Sequence, residues 1–302
     1  MNNFLTKLKN LKLEFFYWRK CLFEYHNFWR YIFNKYLLAP KILKTDFQFE
    51  SIPAREDLSI HVLSCRRDFI ILIWSLASFH LNSGFRASLY VHDDGTLKFG
   101  QKKILKKLFP SSILVGPQMT PKAKLSKFER WEKLRAIRTA RQDWWTIKKL
   151  MDPYLISDKK YRLIIDSDLL WFHRAVDIFN AFNSGDYSLT TQVDHAPMNI
   201  SFLTANQARC NSGMVLYRQD NFNLTKLTEF FERVDLVDKS NWWFIEQAGY
   251  AFCLNNLRFL PLERYTVKAG LDDHLITKHY TNPRRPLFYT EGLPKIKKQL
   301  SL

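Results

Sequence analysis

The sequence predicts an α/β fold, a Rossmann-like and mostly parallel central sheet with helices on both faces over residues 51 to 302, preceded by a basic amphipathic helical extension over residues 1 to 50. Three observations predict it. From Leu58 onward, β-branched apolar runs alternate with longer helical patterns across short turns, and strands joined through helices pair in parallel and need cover on both faces. Hydrophobic residues make up 46% and aromatics 16% of the 302 residues, enough for a large core and too much for a disordered chain. No internal repeat or linker marks a second catalytic domain.

In the extension, Phe4, Leu8, Leu11, Phe15, Trp18, Leu22, Tyr25, Trp29, Ile32 and Tyr36 recur in steps of four and three. That period belongs to a helix with one apolar seam, and Pro40 is placed to stop it. Lys7, Lys9, Lys12, Arg19, Lys20, Arg30 and Lys35 surround the seam, against Glu14 and Glu24. No stretch reaches the roughly 20 apolar residues of a membrane-spanning helix. Three fates remain open for the seam: lying along an anionic membrane surface, packing on the protein's own body, or pairing with a second copy.

The main body then reads in order. Leu58 to Ser64 is a strand, Asp68 to Ser83 a buried helix, and Ala87 to Gly95 a strand running into a turn. Leu97 to Phe109 is a helix with Lys102, Lys103, Lys106 and Lys107 outward, Ser111 to Gly116 a short strand, and Phe128 to Met151 a basic helical stretch. Arg135, Arg138 and Gln142, with Arg141 beside them, make a basic face suited to an acidic acceptor or membrane, with a solvated face as the default reading. Because ligands of such sheets sit beyond the carboxyl ends of the strands, Cys65-Arg66-Arg67-Asp68, His92-Asp93-Asp94-Gly95 and Asp166-Ser167-Asp168 are expected at one rim.

The last of these groups carries the chemistry. Tyr161 to Phe172 reads YRLIIDSDLLWF, a strand that delivers Asp166 and Asp168 to its end with both carboxylates on one side of the chain. Adjacent carboxylates repel and are costly to desolvate, so the pair calls for a cation. An oxygen-rich site favours a hard ion, Mn²⁺ or Mg²⁺, and that ion can hold a diphosphate. The competing reading is that both aspartates cap the element that follows.

Charge and cysteine usage bound the partners. A formal charge of +17 implies anionic ones. Cys21, Cys65, Cys210 and Cys253 are widely spaced with no C-x-x-C pair, which indicates neither zinc nor a disulfide framework. They are expected as small buried residues in a reducing compartment, hence a cytoplasmic protein, peripheral on the cytoplasmic face of a membrane if the extension binds there.

Taken together, these residues resemble the nucleotide-sugar glycosyltransferases of the GT-A fold, over roughly residues 58 to 293. IIDSDLLWF looks like the metal-binding D-x-D strand of that family and VHDDGT like its second strand. CNSGMVLYR resembles a later strand with an Asn-Ser-Gly turn, IEQAGYAFCLN the acidic helix after it, and KHYTNPRRPLFYTEGL the tail that closes over the diphosphate. The resemblance implies metal ligation by Asp166, Asp168 and His279. For the nucleotide sugar it implies Arg66, Asp93 or Asp94, Lys148 or its neighbour Lys149, Asn211, Gly213, Arg284 and Arg285. Asn-Pro-Arg-Arg stands where related enzymes carry a glycine and a lysine, so the diphosphate contacts depart from the family pattern. An inverting enzyme would need a general base, for which Glu246 or Asp194 is the candidate, and a retaining one would need neither. Solvent-facing roles are the rival for Arg66, Lys148 and Lys149, and turn formation for Asp93 and Asp94.

The expected partners are a nucleoside-diphosphate sugar and a glycan or lipid-linked acceptor. Two rivals come from other classes. A nucleotidyltransferase on a related fold normally has a glycine-rich loop after the first strand, where this chain has CRRDF. A basic nucleic-acid-binding protein would suit the charge, but no binding motif is present and paired carboxylates repel phosphate, so no nucleic-acid partner is expected.

Overall fold

The computed structural model describes residues 2–46, 52–117, 125–140, 144–185, 187–193, 197–236, 244–268 and 270–300. The chain begins with helices α1 (Asn2–Phe23) and α2 (Phe28–Phe33), which π and 3-10 turns prolong to Lys44. Then come β1 (Ala54–Ser64), α3 (Phe69–Asn82), β2 (Arg86–Asp93), α4 (Phe99–Leu108), β3 (Ile113–Val115), α5 (Glu132–Ala140), α6 (Trp145–Ile156) and β4 (Tyr161–Asp166). The second half holds β5 (Leu169–Trp171), α7 (Val176–Ser184), β6 (Ser188–Gln192), β7 (Cys210–Arg218), α8 (Leu224–Arg233), α9 (Ile245–Cys253), β8 (Leu257–Phe259), β9 (Tyr265–Thr266), β10 (Thr277–His279) and α10 (Leu293–Gln299).

Seven strands form the central sheet in the order β3-β2-β1-β4-β7-β6-β8. β1 is parallel to β2 and β4, β2 to β3 and β6 to β8, while β7 runs against both of its neighbours. The mostly parallel sheet is therefore present with one reversed strand. Its unbroken apolar runs follow from burial on two faces: Leu163 and Ile165 enter one core with Trp74 and Leu76, and Ile164 between them enters the other with Leu150 and Ala248. Met214 and Leu216 against Val215 and Tyr217 repeat the alternation on β7. A small second sheet, β5-β10-β9, lies beyond the end of β4.

Three expectations need correction. The extension is not one helix: α1 stops at Phe23, and His26 takes a left-handed φ of 50°, a conformation in which Asn, Asp and His are enriched among residues other than glycine. On α1 the counted seam also faces outward, with Leu11 66% and Phe15 65% exposed, because α1 carries a second apolar stripe through Leu13, Tyr17 and Cys21 that takes the core instead, while Tyr25 and Ile32 of the same seam pack on that core. Tyr31, Leu38, Ala39 and Ile42 join the same core, and Ala39 accepts a 2.9 Å hydrogen bond from the indole of Trp74.

The basic stretch divides into α5 and α6, and Arg138 is not solvated. It is 2% exposed and forks onto Asp152 at 2.6 and 2.9 Å. Arg135 is exposed, while Arg141 and Gln142 lie outside the described residues. Finally, Asn211 to Gly213 is not a turn but part of β7, where the pairing with β6 is irregular between Thr190 and Thr191.

Candidate active site

Strand register assembles the site. Leu63 of β1 pairs with Asp166 and Ser64 pairs with Asp93, so the expected polar ends do gather at one edge of the sheet. Asp166 is the last residue of β4, and Ser167-Asp168 turns the chain into β5 rather than into a helix that the carboxylates might cap. β5 then pairs antiparallel with β10, Leu169 opposite His279, and the backbone N–H of Tyr280 donates to the Asp168 carbonyl at 2.9 Å. That pairing carries His279 across 111 positions of sequence to a point beside both aspartates.

His279 Nε2 lies 3.0 Å from Asp168 Oδ1 and 3.4 Å from Asp166 Oδ2. One ligand atom from each of the three falls within 4.8 Å of the others. Two carboxylate oxygens and one imidazole nitrogen suit Mn²⁺ or Mg²⁺. On the far side of the ring, His279 Nδ1 is buried without a hydrogen-bond partner among the described residues and faces Gly213, where a Cβ would come within 2.3 Å of it. Gly213 thus admits the histidine rather than a turn.

Fixed charges surround this triad. Lys149 Nζ bridges Asp166 at 2.7 Å and Glu246 at 2.8 Å, and Ser212 donates to the same Glu246 oxygen at 3.0 Å. Arg285 reaches Asp168 at 2.6 Å with one nitrogen and both oxygens of Asp68 at 3.0 Å with another. Burial opposes ionisation of Asp168, but Arg285 and then His279 outweigh it and hold the carboxyl well below the usual carboxylate range. Burial likewise opposes the His279 imidazolium, yet Asp168 and Asp166 raise its pKa. The Lys149 ammonium is raised against its burial by Asp166 and Glu246, whereas burial wins at Glu246 and raises its carboxyl.

The remaining candidates divide. Asn211 holds the strand in place, its Oδ1 accepting from Gly213 N at 2.9 Å and from Thr191 at 3.1 Å. Asp93 accepts from the backbone of Gly95 and Leu97 and meets Lys102 at 2.7 Å, while Asp94 accepts from Thr96, so both shape the turn in this structure. Arg66 is exposed at the rim. Arg284 is half-buried and lies toward Glu24 of the extension. Lys148 is buried near His92, and its neighbour Lys149 is the one that enters the carboxylate cluster. The solvent-facing rival fails for both lysines. Asp194 lies outside the described residues.

Sequence reasoning passed over Asp68 and Ser212 as site residues. Asp68 stands just before α3, where an aspartate ordinarily caps, but its side chain makes no cap bond and turns to Arg67 and Arg285 instead. No local signal distinguishes the two uses.

No protein-family model and no curated protein matches the sequence. Among solved structures, the bifunctional glycosyltransferase WbbM superposes with a TM-score of 0.51 at 12% identity, over 81% of this chain and 49% of that one. The galactosyltransferase LgtC gives 0.47 at 10% identity over 80% of this chain and 95% of that one. Mouse xyloside xylosyltransferase 1 gives 0.48 at 10%, over 76% and 98%. The likeness to WbbM is one of fold, and it bears out the expected GT-A-like architecture.

Proposed function

We propose that this chain is a metal-dependent glycosyltransferase that moves a sugar from a nucleoside-diphosphate donor to a hydroxyl of a glycan or lipid-linked acceptor. The observation that carries the reading is the meeting of Asp166, Asp168 and His279 at the carboxyl edge of a GT-A-like sheet. Those three would hold a divalent ion, which when bound supplies Lewis-acid stabilisation of the charge that develops on a diphosphate leaving group. The protein's own contribution is a rigid set of buried ion pairs. Arg285 and Lys149 hold Asp168 and Asp166 ionised and in place, so the carboxylates stand ready for the cation that would neutralise them.

Glu246 is the proposed partner of the acceptor. Its Oε1 is taken by Lys149 and Ser212, while Oε2 is buried without a hydrogen-bond partner among the described residues. Burial raises its proton affinity, which suits a group that accepts a proton from a hydroxyl. All four cysteines are free thiols, with Cys21, Cys210 and Cys253 buried.

The test is a screen of UDP-, GDP- and dTDP-sugars, with CMP-sugars as the monophosphate control, for hydrolysis or transfer with and without Mn²⁺ or Mg²⁺. Turnover of one donor class that needs the ion, and that Asp168→Asn abolishes without lowering the melting temperature by more than a few degrees, is the expected result. Turnover equally fast in a chelator, or in Asp168→Asn, overturns the metal assignment.

A further inference from the structure

The outward face of the N-terminal helices is unlike the rest of the surface. On α1, Leu8, Leu11, Phe15, Trp18 and Leu22 are exposed at helical spacing, and on α2 and the turns after it so are Trp29, Phe33, Tyr36 and Leu37. The two stripes meet, because Trp18 Nε1 and Tyr36 Oη both donate to Oε1 of Glu14, at 3.0 and 2.8 Å. Trp29 is 79% exposed. The fold does not need this face, since Tyr17, Cys21 and Tyr31 already anchor the helices from their other side. A continuous apolar surface rimmed by charge marks an interaction site.

Charge selects the occupant. Lys12, Arg19, Arg30, Lys41 and Lys44 are exposed on the same segment. Its glutamates are engaged, Glu14 by Lys35 and Glu24 by Lys20. A second copy would bring the same cations against these, whereas an anionic surface complements them. Where α2 meets α10, a cavity of about 400 Å³ is lined by Arg30, Lys297 and Lys298 together with the apolar Phe33, Leu38 and Pro294. Cations beside apolar walls match a lipid phosphate with the start of its acyl chains. No described helix is long and apolar enough to cross a membrane.

We propose that this face docks the protein on an anionic lipid bilayer, the α1 and α2 side chains entering the headgroup layer while Arg30, Lys297 and Lys298 hold a lipid phosphate. Docking of this kind is independent of the transferase reading, and vesicle binding measures it without any turnover. The full chain is sedimented with vesicles of phosphatidylcholine alone or mixed with phosphatidylglycerol.

Binding is expected only with the anionic lipid and weakens as salt is raised. Trp29→Ser with Phe33→Ser, both exposed positions, lowers it at least about tenfold. Arg30→Gln with Lys297→Gln and Lys298→Gln also lowers it, and in both variants the thermal unfolding curve stays in place. Absence of binding, equal binding to neutral vesicles, or binding unchanged in both variants overturns the proposal. So does a wild-type dimer in analytical ultracentrifugation that the Trp29→Ser, Phe33→Ser variant dissolves, which would give the face to a second copy.

Discussion

At Gly213, a single missing methyl group decides whether the imidazole of His279 can stand beside Asp166 and Asp168. A Cβ there would lie 2.3 Å from Nδ1 and 2.6 Å from Cε1, and the ring is buried with nowhere to retreat. Gly213→Ala is therefore expected to displace His279 and weaken Mn²⁺ binding by about 10–100-fold, read by titration calorimetry, with the fold retained. Glu246→Gln keeps the shape of its neighbourhood but removes the charge that faces Lys149, so under the proposed function kcat falls far more than donor KM rises. Equal kcat in the variant would remove Glu246 from the chemistry. Asp166 and Asp168 were legible at this scale because their spacing and the strand around them are local facts. Asp68 was not, because its turn toward Arg285 depends on a segment 217 positions away.

Among the elements, α6 shows why helix faces are harder to read than helix positions. Its lysines looked solvated, yet Lys148 and Lys149 are both buried, since the helix lies between α9 and the sheet. Sequence periodicity gives a helix and its stripes, but which stripe is covered follows from packing. The same ambiguity turned the α1 seam outward. Packing against α9 is close: a Cβ on Gly249 would come within 2.4 Å of Leu150 Cδ2, and Gly249→Ala is expected to cost about 1–3 kcal/mol in urea unfolding. Across α5 and α6, Asp152→Ala removes the buried carboxylate onto which Arg138 forks and is expected to cost about 3–5 kcal/mol. Loss of under 1 kcal/mol there would show that water reaches the arginine.

For the whole molecule, the alternation of strands and helices from Leu58 onward was plain in the sequence because parallel strands buried on two faces leave unmistakable apolar runs. The reversed β7 and the small β5-β10-β9 sheet were not, since pairing partners far apart in sequence leave no local trace. Global stability should depend on pH through buried histidines. Burial lowers His80 and His92 from 6.5 to about 4, so between these values the unfolded chain binds protons that the folded one refuses. Their contribution is full above about pH 6.5 and is lost as pH falls toward 4, the loss reaching about 2 kcal/mol for each histidine at pH 5. Urea titrations at pH 8 and pH 5 should show the drop, and His92→Gln should flatten it. The clasp between the two ends of the chain acts at this scale too. Tyr17 donates to Asn282, and Asn34 donates to the carbonyl of Tyr289 at 2.7 Å, so α1 and the turns after α2 grip the loop that presents Arg285 to Asp168. Nicking the chain near His26 with a protease should therefore loosen the loop that carries Arg285, leaving the carboxylates seated and the arginine adrift.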